Sequence, residues 1–450
     1  MLHLKNEQNH SLKSTDHLSF GWLILAIAGM FIASLYAVLL VGSRAASGMG
    51  LLTDNGLFHI ALVLHVDFSL LVWFLSIAGL FWNLYSGSLH IRMARIGIAL
   101  AGFGALLLAL SPLVADGEPV LSDYVLVLHN PVFLSALGIF AGGLALTALR
   151  LLLHPKSDQS VVILAVRGSA WVYLTALTCL PLGWLVGPIS DILRSRYEDL
   201  FWGAGHLLQI GHTILMLAAI MVLVQRRKVH KLPKGILLWT LRAMIILALA
   251  GPLLYFSGSD VAEGRIIGFT HLMAMAGVLA ALSLVSLAQT IWQLPSKDNL
   301  RQLLLFAVGL FLVGMWLGVL IDQNNARVPA HYHGAIGGIT LVFMGLVYQF
   351  AHDWYGLQLQ QRLLRWQIRF YAVGMAMLMT GLIVADIPRK TVAAVENGLR
   401  TTIGHSLAGM GGTLALIGSL LFLWLVLRAL FVSNSQLAVR SNNSSYSESP

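Results

Sequence analysis

Long runs of apolar residues, separated by short polar stretches, make up most of the chain. Twelve of these runs are long enough for a helix that crosses a bilayer, which takes about 20 residues. They begin near residues 20, 57, 93, 125, 161, 201, 236, 266, 302, 331, 367 and 402. The pattern predicts an all-α integral membrane protein with twelve transmembrane helices over residues 20–432. A polar segment (1–19) precedes this membrane domain, and a tail rich in Ser and Asn (433–450), which favours disorder, follows it.

The composition excludes several classes of protein. Of the 450 residues, 58% are hydrophobic and 10% are charged, whereas soluble domains carry about 25% charged residues. The single cysteine, Cys179, lies inside an apolar run. Disulfides, iron–sulfur clusters and covalent haem attachment through paired cysteines are therefore excluded within this chain.

The charged residues predict how the chain is oriented. Most Lys and Arg lie near the two termini and in the loops that follow even-numbered runs, while Asp and Glu collect in the other loops. By the positive-inside rule, both termini are expected in the cytoplasm. This distribution accounts for the net charge of +9 without a nucleic-acid partner.

Histidines recur shortly after the outer start of each even-numbered run. They are His59 and His65, His129, His206 and His212, His271, His331 and His333, and His405. Ionisable side chains at membrane depth are costly and usually functional. Single imidazoles on separate helices, without thiolates or buried carboxylates, favour haem iron over zinc or calcium. For any one of these histidines, an interfacial or hydrogen-bonded role is the alternative.

His331 and His333 stand two residues apart at the start of one run. On a helix this spacing is a rotation of about 200°, so the two imidazoles leave opposite sides of the helix. Such a helix could bind a metal centre on each flank. One centre would be a bis-histidine haem that carries electrons, and the other a haem with an open face for a gas.

These segments resemble subunit I of the haem–copper oxidase superfamily, most closely the branch of C-type cytochrome c oxidases and nitric oxide reductases. The resemblance covers nearly the whole chain and rests on three segments: Leu64-His65-Val66-Asp67, Trp202-Gly203-Ala204-Gly205-His206 and Ala330-His331-Tyr332-His333. It implies that His65 and His333 bind a low-spin haem and that His331 binds a high-spin haem. It also implies that His206 binds a second metal, copper or non-haem iron.

The resemblance further implies an activity and partners. Asp386-Ile387-Pro388-Arg389-Lys390 resembles the segment that binds haem propionates in the family, which implies that role for Arg389 and Lys390. A protein of this kind takes electrons from an outer-face cytochrome c or cupredoxin-type subunit. It passes them from the low-spin to the high-spin haem, where a small gas, dioxygen or nitric oxide, is reduced. His331 and His206 would be the catalytic residues.

One segment departs from the family pattern. Where the family has two adjacent histidines in the seventh helix, this chain has Leu253 and Leu254, within Gly251-Pro252-Leu253-Leu254-Tyr255. Either a second metal is held by His206 together with His271, or the pocket lacks that metal. The second case favours a non-catalytic haem gas sensor or an electron-transfer protein derived from an oxidase. A third hypothesis is a twelve-helix transporter without haem, although transporter sites usually lie near the membrane midplane rather than in its outer third.

Overall fold

The computed structural model describes residues 2–48, 56–154, 160–186, 192–227, 232–256, 261–321, 327–355, 359–385 and 398–446. Within these ranges, twelve helical segments are long and apolar enough to cross a membrane. The prediction of an all-α protein with twelve transmembrane helices is confirmed, and the chain is a multi-pass membrane protein.

The elements follow one another with short connections. The helices are α1 Leu2–Gly48, α2 Gly56–Asp67, α3 Trp73–Leu84, α4 Ile91–Val114, α5 Pro131–Leu153, α6 Val161–Val186, α7 Leu193–Arg226, α8 Lys234–Ala250, α9 Val261–Trp292, α10 Asn299–Val319, α11 Arg327–Tyr355, α12 Gln361–Ala385 and α13 Leu399–Tyr446. A π-helical turn, Phe68–Val72, joins α2 to α3 so that the two form one span. A 3₁₀ turn, Gly251–Tyr255, extends α8.

A short hairpin precedes α5 and changes one expected boundary. Strands β1 (Glu118–Val120) and β2 (Val127–His129) pair antiparallel, so the fourth span begins at Pro131 rather than near residue 125. Pro131 occupies the first helical turn, and the side chain of Asn130 accepts a hydrogen bond from the Phe133 N–H at 2.8 Å. Both features favour a helix start at this position. His129 consequently lies in a strand and not in a transmembrane helix.

The last helix also differs from the expectation. The sequence predicts a disordered tail over 433–450, but α13 continues through Tyr446. A helix that has already formed in its apolar part extends through further residues without a new nucleation cost. Residues 447–450 lie outside the described ranges.

The chain divides into two compact units. Unit 1 comprises Met1–Val222 and His230–Thr290, and unit 2 comprises Leu223–Val229 and Ile291–Pro450. In unit 1, α4 packs along α5, α1 packs against α2 and α3, and α6 packs against α8. In unit 2, α12 packs along α13, and α10 packs along α11. Large apolar side chains fill unit 1, where Trp22, Trp73 and Trp82 are buried.

Glycines allow α4 and α5 to approach closely. A Cβ atom added to Gly143 would lie 2.5 Å from the Gly97 carbonyl oxygen and 2.5 Å from the Ala101 backbone nitrogen. The same atom added to the adjacent Gly142 would meet nothing within 4 Å. Backbone atoms cannot rotate away as a side chain can, so we expect Gly143→Ala to destabilise the protein by about 2 kcal/mol through overpacking. The control Gly142→Ala should be neutral or slightly stabilising, because alanine has the higher helix propensity. Thermal unfolding in detergent checks this pair, and equal melting temperatures for the two variants would contradict the packing argument.

Candidate functional site

His65 is held in a fixed orientation by helix α1. It lies in α2, three residues before the π-helical turn, and its Nδ1 is 2.9 Å from the Ala33 carbonyl oxygen of α1. A carbonyl can only accept a hydrogen bond, so the proton is on Nδ1 and the lone pair is on Nε2. In the described part of the chain, Nε2 has no hydrogen-bond partner. Metal-binding histidines are typically oriented in this way, with one ring N–H on a carbonyl and the other nitrogen facing the metal.

Asp67 lies two residues beyond His65 and is 1% exposed. The sequence leaves open whether it is a haem-associated acid or a hydrogen-bond partner of a neighbouring helix. In the structure its carboxyl group contacts the backbone of Leu126, in the loop between β1 and β2. No described side chain hydrogen-bonds to either carboxyl oxygen. The π-helical turn begins directly after Asp67, and such turns are frequent at functional sites.

His331 and His333 lie in α11 of unit 2, and each is oriented by a backbone carbonyl. The His331 Nδ1–H donates to the Gly314 carbonyl of α10 at 2.7 Å. The His331 ring packs on Gly318, where an added Cβ would lie 2.7 Å from two ring atoms. The His333 Nδ1–H donates to the Pro329 carbonyl of its own helix at 2.6 Å. His331 is thus held against α10, and its Nε2 has no partner among the described residues.

His206 is buried in α7 of unit 1, and both of its nitrogens are engaged. Its Nδ1–H donates to the Trp202 carbonyl at 2.7 Å, so Nε2 is the acceptor for the Tyr124 hydroxyl at 2.8 Å. Tyr124 lies in the hairpin loop with a φ of 67°, a left-handed conformation that is unfavourable for a large aromatic residue. Its ring packs on Gly205. The lone pair that a metal would need on His206 is therefore occupied by a phenol.

The structure does not bring His271 to His206. Phe269 of α9 faces His206, with ring centroids 5.9 Å apart. His271 follows two residues later, about 200° around the helix, and its side chain is exposed. Within the described ranges, no three His, Cys, Asp or Glu side chains form a metal-binding group. The donor set near His206 therefore does not fit copper or non-haem iron, which usually take three or more protein ligands.

The two leucines that replace the expected histidine pair differ in environment. Leu253 is 67% exposed, so its side chain does not lie in the buried surroundings of His206. Leu254 packs against Gly268 of α9. Tyr255, by contrast, is buried, and its hydroxyl lies against Gly203, three residues before His206.

The other predicted site residues are placed as follows. His212 is buried, and its ring lies edge-on to that of Phe74 of α3, with the ring centroids 5.0 Å apart. The Nδ1 of His129 is 2.7 Å from the hydroxyl of Tyr197 and joins β2 to α7. The Nε2 of His405 is buried without a hydrogen-bond partner among the described residues. Arg389 and Lys390 lie outside the described ranges.

Two residues near His206 carry no signal in the sequence. Tyr124 lies in a hairpin loop that has no hydrophobic periodicity, and Arg265 is one of several cations near the start of an apolar run. The fold brings Tyr124 onto His206. It also places the Arg265 guanidinium over the Tyr255 ring, 5.5 Å from its centroid.

The chain is similar over most of its length to proteins of two bacteria. It is 25% identical to an uncharacterized protein of Rickettsia prowazekii (strain Madrid E), an alignment that covers 92% of this chain and 96% of the relative. It is 26% identical to an uncharacterized protein of Aquifex aeolicus (strain VF5), over 74% of this chain and 84% of that relative. No profile of a known protein family matches the chain.

Proposed function

We propose that this protein is a haem-binding oxidoreductase of a bacterial inner membrane, with both termini in the cytoplasm. One observation carries the proposal. His65 and His331 each donate Nδ1–H to a carbonyl of a neighbouring helix and leave Nε2 without a partner among the described residues. An imidazole nitrogen without a hydrogen-bond partner is costly at membrane depth, and binding to iron would remove that cost.

Each histidine has a defined task in this proposal. His65, His331 and His333 would hold two haems, as the family resemblance implies. The carbonyls of Ala33 and Gly314 fix the tautomer and ring orientation of His65 and His331, and they raise the basicity of Nε2. When bound, haem iron would supply one-electron transfer and an open coordination position for a small gas such as dioxygen or nitric oxide.

Close packing around His331 supports the same role. Gly314 and Gly318 let the imidazole lie directly on α10, so the ring has little freedom to turn. Pre-oriented ligands lose less entropy on binding. The electron donor would be an outer-face cytochrome c or cupredoxin-type subunit, since this chain has no cysteine pair for covalent haem.

The proposal contains no second metal. His206 has Tyr124 on Nε2, and His271 is exposed on another face of α9. The same arrangement favours an alternative function, a haem gas sensor or electron carrier derived from an oxidase. In that case a haem held by His331 would bind a gas without reducing it, because no second metal would bind the other atom of the gas.

The proposal is tested by measuring haem content, carbon monoxide difference spectra and turnover on the protein purified with its co-purifying subunits. The proposal expects two haems per chain, one of which binds carbon monoxide after reduction, together with turnover of dioxygen or nitric oxide with a reduced donor. Haem and carbon monoxide binding without turnover would select the sensor or carrier. A colourless protein from haem-replete cells would contradict both and would leave the transporter hypothesis.

A further inference from the structure

Unit 1 contains two fully buried arginines with opposite surroundings. Arg150 is 0% exposed, and its guanidinium donates to the side-chain oxygen of Asn83 and to the carbonyls of Gly87 and Leu89. Arg265 is 1% exposed, but its Nε, Nη1 and Nη2 have no hydrogen-bond partner among the described residues. A buried guanidinium normally has its donors satisfied, so Arg265 requires an explanation.

In the described part of the chain, Arg265 has one ion pair, and this pair does not satisfy the hydrogen-bond donors of the guanidinium. Its Nη2 lies 3.7 Å from Oδ1 of Asp199, a distance beyond that of a hydrogen bond. Asp199 offsets the charge of the guanidinium but leaves its N–H groups without an acceptor. The Tyr255 ring covers one side, with its centroid 5.5 Å from the guanidinium carbon. Phe269 packs edge-on to Tyr255 at 5.7 Å.

Unsatisfied donors continue from Arg265 toward His206. The hydroxyl of Tyr255 lies against Gly203 and next to the thiol of Cys179, which is a weak acceptor. The indole Nε1 of Trp202 is buried without a hydrogen-bond partner among the described residues. Arg265, Tyr255 and Trp202 therefore each have a buried donor that is not satisfied by a described residue.

We infer that Arg265 is the centre of a binding site for an anionic oxygen group, a carboxylate or a small oxyanion. Such a group accepts two parallel hydrogen bonds from the edge of a guanidinium, and it is the acceptor that buried arginines bind best. Water alone is a poorer fit, since each water also needs acceptors for its own hydrogens. The aromatic walls formed by Tyr255 and Phe269 offer few.

The anionic group could come from either of two sources. One is a free small anion that enters as a ligand or substrate. The other is a carboxylate of a bound cofactor, such as a haem propionate, and this source alone rests on the proposed function. Both make the same contact with Arg265, so the experiment needs one arm for each source.

The first arm uses formate as the probe, on the purified full-length protein at constant ionic strength with chloride as the replaced anion. Ligand binding to the folded state raises the melting temperature, and formate at about 100 times its dissociation constant should raise it by several degrees. Arg265→Gln should lose this response, and Arg265→Lys should keep part of it, because lysine retains the charge but not the two-pronged geometry. Arg167→Gln is the matched control. Arg167 donates to the Leu151 carbonyl, so this variant should be less stable but respond to formate as the wild type does.

The second arm uses protein purified with haem whose propionates carry a ¹³C label, compared with unlabelled haem by infrared difference spectroscopy. A labelled carboxylate band that shifts in Arg265→Gln and partly returns in Arg265→Lys would identify the cofactor as the source. A formate response that depends on Arg265 would identify a free anion. If neither formate nor the labelled band depends on Arg265, the inference is wrong. If the protein carries no haem, the proposed function fails, and the formate arm still decides this inference.

Discussion

If the proposed function is right, replacing His65 with alanine should remove about half of the haem from the purified protein, because one of two haems would lose a protein ligand. The spectrum expected of a low-spin bis-imidazole haem should disappear, while carbon monoxide binding to the other haem remains. The reason lies in the geometry of His65. The Ala33 carbonyl fixes its Nδ1 and leaves its Nε2 without a partner among the described residues, and alanine offers no nitrogen in that place. Difference spectra and a haem assay on the same preparation measure the effect.

His331→Ala should give the complementary result, a loss of carbon monoxide binding with the low-spin spectrum retained.

The matched control for His65→Ala is His59→Ala in the same helix, since His59 packs edge-on to Phe58 and has no proposed role in binding iron. Unchanged haem content in His65→Ala, or an equal loss in His59→Ala, would refute the assignment of His65.

Replacing Arg150 with alanine should be the most destabilising of these substitutions, with a cost of about 3–5 kcal/mol. Arg150 of α5 binds Asn83 of α3 at 2.8 Å and the Leu89 carbonyl at 2.8 Å. Asn83 in turn donates to Ser19 of α1 at 2.7 Å, so one guanidinium joins three helices and the turn before α4. Without it, several buried acceptors lose their donor.

The apparent melting temperature in detergent should fall by about 6 °C or more for Arg150→Ala. Arg167→Ala provides the comparison. Arg167 of α6 donates to the carbonyls of Leu151 and His154 at the end of α5, at 2.9 and 3.0 Å, but these groups are only partly buried. Its removal should cost about 1 kcal/mol, the usual contribution of a cation at a helix C-terminus. A larger effect for Arg167→Ala than for Arg150→Ala would refute the argument from burial.

Much of the fold could be predicted from the chain alone. A helix is required wherever about 20 apolar residues must satisfy their backbone hydrogen bonds inside a membrane, so hydropathy determines the twelve spans. The boundaries were less certain where local pairing competes, as in the hairpin that ends at His129, and where a helix extends beyond its apolar part, as in α13. The spacing of His331 and His333 likewise determined that the two rings leave different sides of α11.

The surroundings of each imidazole were decided by the tertiary structure. Whether a histidine can bind a metal depends on the groups that its two ring nitrogens contact, and those groups belong to other elements. The Ala33 carbonyl contacts Nδ1 of His65, and the Gly314 carbonyl contacts Nδ1 of His331. The Tyr124 hydroxyl contacts Nε2 of His206. The same holds for Arg265, which in the sequence resembles any cation near the start of an apolar run but is buried with its donors unsatisfied among the described residues. Hydropathy and helical periodicity describe one helix at a time, whereas hydrogen-bond partners and burial arise from contacts between residues far apart in the chain.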